Sequence, residues 1–322
     1  MSCEPACTPP AAWLPPFREQ APWLGGDLQT LRNRLRRAPP APALAQRLRL
    51  PLSNGAGALS AALSRPAAVP ERDPVVLLVH GLGGCEDSAY MLIAARALLN
   101  EGYTVIRLNL RGAGPSARFS KAPYHAGLAG DLRDVLRCLD TILPGRPIMA
   151  AGFSLGGHML LRLACEDGRS VPLAGLMTVS APLDLAAAQR CIARPRNRLY
   201  ERYIVATMAR DIGDCRDFPR RLREVDARVV APAHGFAGAA DYYRRASVLP
   251  HLAALACPAL ILHADNDPWI PSDAYRNAAW PPETPLTVAL PRGGGHVGFH
   301  AAGLSAPWYV AALLAFIHRL GA

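Results

Sequence analysis

A serine bracketed by glycines, Gly152-Phe153-Ser154-Leu155-Gly156, constrains this chain more than any other stretch. The apolar run 147–151 leads directly into it and a helix-like run, 158–164, leaves it, so the segment predicts a strand, a tight turn and a helix with Ser154 at the apex. Glycine two residues to either side is a steric requirement of such a turn, because side chains there would collide with the adjoining strand and helix. The hydroxyl is lifted clear of the sheet, and the amides at the start of the helix point at any oxyanion that forms beside it. A reactive serine held this way needs a buried strand and a packed helix around it, which already demands an α/β architecture.

The rest of the chain supplies that rhythm. Strands expected over 75–79, 103–109, 147–152 and 173–179 alternate with helices expected over 88–100, 126–142 and 155–166, and further strands follow over 259–264 and 284–290. This βαβ order predicts a mostly parallel central sheet with helices on both faces. Residues 1–70, rich in proline and alanine, read as an N-terminal arm with edge strands over 44–52 and 58–64. Residues 183–247 carry helical, basic segments and no clear strand. They are expected to form a helical cap inserted into a core made of 71–182 and 248–322, placed over the carboxyl ends of the strands, where it would shape a pocket.

A serine nucleophile needs a base, an acid and oxyanion donors, and each has a candidate at a strand end. The strand over 75–79 runs into His80-Gly81-Leu82-Gly83-Gly84, a flexible loop suited to donate an amide. The backbone amides of Leu82 and Leu155 are the expected pair of donors. The strand over 259–264 is followed by Asp265-Asn266-Asp267-Pro268, and the strand over 284–290 by Gly293-Gly294-Gly295-His296. Asp267 is the expected acid because Pro268 fixes the backbone after it and Pro271 lies four residues on, whereas Asp265 reads as a turn cap. In this reading Ser154 attacks an acyl carbonyl, His296 moves the proton and Asp267 orients His296.

The segments HGLGG, Arg111-Gly112-Ala113-Gly114, Tyr124-His125-Ala126-Gly127, GFSLGG, His234-Gly235-Phe236 with Asp241-Tyr242-Tyr243, and Gly294-Gly295-His296-Val297-Gly298-Phe299 together resemble the YheT-like branch of the α/β-hydrolase fold. The resemblance runs from about residue 12 to the C-terminus. It departs at Asp27, which precedes Leu28-Gln29-Thr30 where the family usually has histidine, and at His158, where asparagine often follows the second glycine. It implies a carboxylesterase-like serine hydrolase acting on short- to medium-chain acyl esters, without a cofactor. A thioesterase or acyltransferase using the same three residues, or a binding protein of the same fold, are the alternatives.

Composition bounds the partners. Hydrophobic residues make up 51% of the 322, enough for a large core around one sheet. No apolar run reaches the roughly 20 residues a membrane helix needs, the nearest, 171–188, being broken by Pro172, Pro182 and Asp184. The first residues lack a secretory pattern, so a cytoplasmic location is expected. A formal charge of +10 raises the question of nucleic acid. Yet 34 of the 35 basic residues are arginine, a skew of overall composition, and no nucleic-acid-binding motif accompanies them. Arginines cluster over 32–37 and at Arg194, Arg196, Arg198 and Arg202, which leaves weak contact with an anionic surface or substrate open. The eight cysteines form no metal-spaced pattern and read as free thiols, with Cys85 alone near the expected site. His80, His125 and His234 are expected to orient loops by hydrogen bonding, and the tyrosines of 199–204 and 241–243 to pack the cap or line its pocket.

Overall fold

A run such as Val75-Val76-Leu77-Leu78-Val79, apolar at every position, is stable only as a strand covered on both faces. In the computed structural model, which describes residues 11–35, 38–43, 46–120, 123–212 and 217–321, it ends a strand at the centre of an eight-stranded sheet. The strands are β1 (Gln46–Pro51), β2 (Ala58–Ser64), β3 (Arg72–Val79), β4 (Tyr103–Asn109), β5 (Ile148–Phe153), β6 (Gly175–Val179), β7 (Ala259–Leu262) and β8 (Leu286–Ala289). Their order across the sheet is β1-β2-β4-β3-β5-β6-β7-β8. β2 runs antiparallel to both neighbours, and β4 through β8 are parallel. β1 is an edge, whereas β2, fully buried, lies one strand inside it. Leu44, expected at the start of the first strand, is outside the described residues.

The helices are α1 (Gly26–Leu35), α2 (Ala89–Asn100), α3 (Ala129–Ile142), α4 (Leu155–Asp167), α5 (Leu185–Ile192), α6 (Arg198–Ile212), α7 (Leu222–Val225), α8 (Ala231–Ala233), α9 (Ala239–Ala246), α10 (Asp273–Arg276) and α11 (Trp308–Gly321). Alternate residues of β3 divide the core into two layers. Val75, Leu77 and Val79 pack with Leu132 and Leu136 of α3 and Leu160 of α4, while Val76 and Leu78 pack with Met91 and Leu98 of α2 and Phe316 of α11. The chain leaves β3 to one side for β4 and returns to the other for β5. Loops at the carboxyl ends of β3 and β5 therefore diverge and leave a crevice, the place where open α/β sheets hold their ligands.

Between β6 and β7 no described residue joins the sheet. α5 and α6 come first, α7 runs through a π turn (Asp226–Val230) into α8, and α9 returns the chain. This stretch sits against α4, ten of whose thirteen residues are buried. His158 of α4 lies between its two ends, with Nδ1 2.5 Å from Pro182 O and Nε2 2.9 Å from Ala246 O. Burial pushes the pKa of His158 down, against the pull of the two carbonyls. The imidazole at this position thus joins α4 to the entry and exit of the inserted helices.

Candidate active site

Ser154 follows the last residue of β5 at φ 51° and ψ −120°, a region that non-glycine residues enter only under strain. Close approach of strand and helix explains the flanking glycines. A Cβ on Gly152 would lie 2.6 Å from Gly157 Cα, and one on Gly156 would lie 2.4 Å from His80 O. The turn turns the Ser154 hydroxyl toward His296, whose Nε2 is 3.0 Å from Oγ.

His296 Nδ1 lies 2.8 Å from Asp267 Oδ2. A carboxylate only accepts, so Nδ1 carries the proton and Nε2 is free to accept from Ser154. Burial raises the energy of the Asp267 charge, but His296, His263 and the Trp269 amide together outweigh that cost and hold the pKa below the usual carboxylate value. Trp269 N and Ile270 N donate to the other carboxylate oxygen at 2.8 and 3.1 Å. The Trp269 ring stacks on the imidazole with centroids 4.2 Å apart. Asp265 faces elsewhere, accepting from Ser272 Oγ at 2.7 Å and Arg276 Nη2 at 2.5 Å. Of the two aspartates, only Asp267 meets His296.

The loop after β3 lies against the serine, since a Cβ on Gly81 would come within 3.0 Å of Ser154 Cβ. Gly81 N donates to Tyr90 Oη at 3.0 Å and Gly83 N to Tyr124 Oη at 2.5 Å, which ties down the amides on both sides of Leu82. His80 Nε2 accepts from Leu110 N at 3.1 Å, so its Nδ1–H donates to Gly81 O at 2.7 Å. Burial lowers its pKa to about 4 and keeps it neutral. Leu155 opens α4, where the first amides of a helix have no intrahelical acceptor. Leu82, Leu155, Ser154 and His296 all line one cavity.

Sequence reasoning missed the support of the histidine loop. α1, which no strand or helix signal of the N-terminal region announced, packs against residues 294–300. Thr30 Oγ1 accepts from His296 N at 2.8 Å and donates to Gly26 O at 2.6 Å. Asn33 Nδ2 donates to Val297 O at 2.8 Å, and Gln29 accepts from His300 N at 2.6 Å while donating to His300 O at 3.0 Å. Glu19 accepts from Gly294 N at 3.1 Å. Gly295, at φ 57°, has no room for a Cβ, which would lie 2.3 Å from Gly26 O. The one signal available was Leu28-Gln29-Thr30, a matched motif without an assigned role.

The cavity, about 760 Å³, has a floor of Ser154, His296 and the Leu82 loop and walls contributed by the helices of 183–247, among them Ile192, Ile204, Met208 and Leu222. Tyr200, Tyr203, Tyr242 and Tyr243 also line it. Several of them pack as well as line: Tyr242 Oη accepts from Ala126 N at 3.1 Å, and Tyr200 Oη donates to Asp27 at 3.0 Å. Asp226, in the π turn, is a buried acid in this wall; burial pushes its pKa up to about 7, although the Tyr243 hydroxyl donates to it at 2.5 Å. His125 lines the cavity and accepts at Nδ1 from Gly127 N at 3.0 Å, and His234 Nε2 lies 2.7 Å from Pro123 O. Arg111 forms a buried ion pair with Asp131 through Nε at 2.5 Å.

Cys85 flanks the glycine loop, with its thiol pKa raised by burial. Cys138, Cys165, Cys191 and Cys257 are also free thiols, and Cys3, Cys7 and Cys215 lie outside the described residues. Among the described residues no three or more His, Cys, Asp or Glu side chains are grouped to hold a metal ion.

Residues 76–307 match the family model described as the alpha/beta hydrolase family. The protein YheT of Escherichia coli (strain K12), to which an esterase activity is ascribed by name, is 32% identical over 272 residues, 79% of this chain and 78% of its own. Phospholipase ABHD3 of Mus musculus is 28% identical over 239 residues, 70% of this chain, and the match spans only 58% of that longer protein. Among solved structures, 2,6-dihydroxy-pseudo-oxynicotine hydrolase superposes with a TM-score of 0.60 at 18% identity, over 92% of this chain and 72% of that one, a likeness of fold.

Proposed function

Because this chain belongs to the α/β-hydrolase family, in its YheT-like branch, we propose that it hydrolyses carboxylic esters of short to medium acyl chains at Ser154 through an acyl-enzyme. The observation that carries the reading is the hydrogen-bonded line Asp267–His296–Ser154 opening into an apolar-walled cavity. Ser154 Oγ attacks the acyl carbonyl as its proton passes to His296 Nε2, and Asp267 stabilises the imidazolium that results. The tetrahedral oxyanion is met by the amides of Leu82 and Leu155. His296 returns the proton to the departing alcohol, and water repeats the sequence to free the acid. Residues 183–247 act as the cap that forms the acyl pocket.

Ester cleavage accords with the esterase and phospholipase names of the relatives above. Purified protein should be labelled by a fluorophosphonate at Ser154. Ser154→Ala should abolish labelling and lower turnover of 4-nitrophenyl esters by roughly 10⁴- to 10⁶-fold with an unchanged circular dichroism spectrum. Full ester turnover by that variant would refute the mechanism. A parallel series of thioesters, run with and without an acceptor alcohol, measures how far water and oxygen esters are preferred.

A further inference from the structure

Six of the nine large apolar side chains exposed among the described residues lie on two neighbouring segments: Leu24, Leu28, Leu31 and Leu35 on or just before α1, and Leu199 and Tyr203 on α6. Scattered exposed leucines need no explanation, but a concentration of this kind marks an interaction surface. Leu28, Leu31 and Leu35 recur at helical spacing and share one face of α1. Leu31, Leu199 and Tyr203 also line the Ser154 cavity, so the exposed patch borders that cavity. Three contacts hold its halves together: Arg34 lies over the Tyr203 ring at 4.1 Å, Arg196 Nη2 donates to Asp27 at 2.7 Å, and Tyr200 Oη donates to the other oxygen of Asp27 at 3.0 Å.

The charge around the patch is one-sided. Segments 26–35 and 194–203 carry six arginines and two carboxylates, Asp27 and Glu201. Asp27 is paired with Arg196, and Glu201 is buried and paired with Arg221. Among the described residues Arg34, Arg194, Arg198 and Arg202 are exposed and have no carboxylate partner. A protein partner that met only the leucines would leave these charges stranded. An anionic bilayer answers both features at once, with phosphates for the arginines and acyl chains for the leucines. Among the described residues no helix is long and apolar enough to cross a membrane, so the contact is with its surface.

We propose that the face built from α1 and the start of α6 docks on an anionic lipid surface and presents the cavity it borders to the bilayer. Docking stands on the patch alone; the delivery of an acyl ester from lipid to Ser154 rests on the hydrolase reading above.

Sedimentation of the full-length Ser154→Ala chain with vesicles tests the docking without turnover. Phosphatidylcholine vesicles containing roughly one-third phosphatidylglycerol should bind it at least about tenfold more strongly than phosphatidylcholine alone, with loss of the difference in high salt. Each arginine near an anionic surface contributes about fivefold, so Arg198→Glu with Arg202→Glu should weaken binding by more than about 25-fold. Leu28→Ser with Leu35→Ser should weaken it by about tenfold or more. In the chain with Ser154 intact, both double variants should hydrolyse a water-soluble short ester at the wild-type rate and lose activity only on esters held in anionic vesicles. Equal binding to both vesicle types, or binding indifferent to both double variants, would overturn the proposal. So would a dimer, formed without lipid, that Leu28→Ser with Leu35→Ser dissociates, since the patch would then be an interface between copies. Vesicle binding without ester turnover by the intact chain would keep the docking and overturn only the hydrolytic reading.

Discussion

Two aspartates separated by one residue have opposite surroundings, and the difference decides which can serve a histidine. Asp267 is buried, gives one oxygen to His296 and the other to two backbone amides, and so holds the imidazole in a single orientation. Asp265 is half-exposed and occupied by Ser272 and Arg276. Asp267→Asn should therefore lower ester turnover by roughly 10³- to 10⁴-fold, because an amide in place of the acceptor favours the wrong tautomer. Asp265→Asn should cost less than about tenfold in turnover and loosen only the turn before α10. Steady-state rates for the two variants settle the ranking, and the reverse order would reassign the acid.

At the scale of elements, α1 is the unexpected contributor. Its side chains Gln29, Thr30 and Asn33 take up backbone groups of the loop that carries His296, a loop that also holds Val297 and Phe299 at positive φ. Such backbone is costly and persists only where its surroundings over-determine it. Thr30 is a positioning residue in this account: it holds the His296 amide and touches no reacting atom. Thr30→Val removes both of its hydrogen bonds and should lower kcat by about tenfold or more with little change in KM, since a displacement well under 1 Å already weakens a proton transfer. Thr30→Ser, which keeps the hydroxyl, should restore the rate. A merely structural role would lower thermal stability equally in the two variants and leave the kcat of the folded fraction unchanged.

At the scale of the molecule, the cavity belongs to no single region. The N-terminal helix, the loops at the carboxyl ends of the strands and the inserted helices each supply part of its wall, and Asp226 sits where the insertion meets the cavity. Its pKa near 7, against 3.8 for an ordinary aspartate, makes its neutral form the one the fold accommodates. The sign follows from proton linkage: the folded state binds the proton more tightly, so the stabilisation is complete below about pH 4 and is lost as pH rises through about 7. Asp226→Asn does not titrate and keeps an acceptor for Tyr243. The melting temperature of the variant should therefore gain on wild type by at least about 2 °C between pH 5 and pH 8, values spanning most of that window. A difference that is flat across this range would show that Asp226 is ionised in the folded protein throughout.

What could be read from sequence were the features set by neighbours along the chain. Glycines around Ser154 report a steric need within six residues, and apolar runs such as 75–79 declare strands covered on both faces, so the α/β sheet and the elbow stood out directly. Asp267 and His296 stood out because each follows such a run. The inner place of β2, flanked by β1 and β4, was not legible, because its pattern resembles that of an edge strand and strand order is decided by long-range pairing. Nor was α1 legible as a brace: GDLQTLRNRL has little apolar content, and its meaning lies in hydrogen bonds to residues more than 260 positions away. The raised pKa of Asp226 and the leucine patch that borders the cavity likewise exist only once distant segments meet. Burial and the pairing of backbone groups are properties of the assembled fold, and no local pattern encodes them.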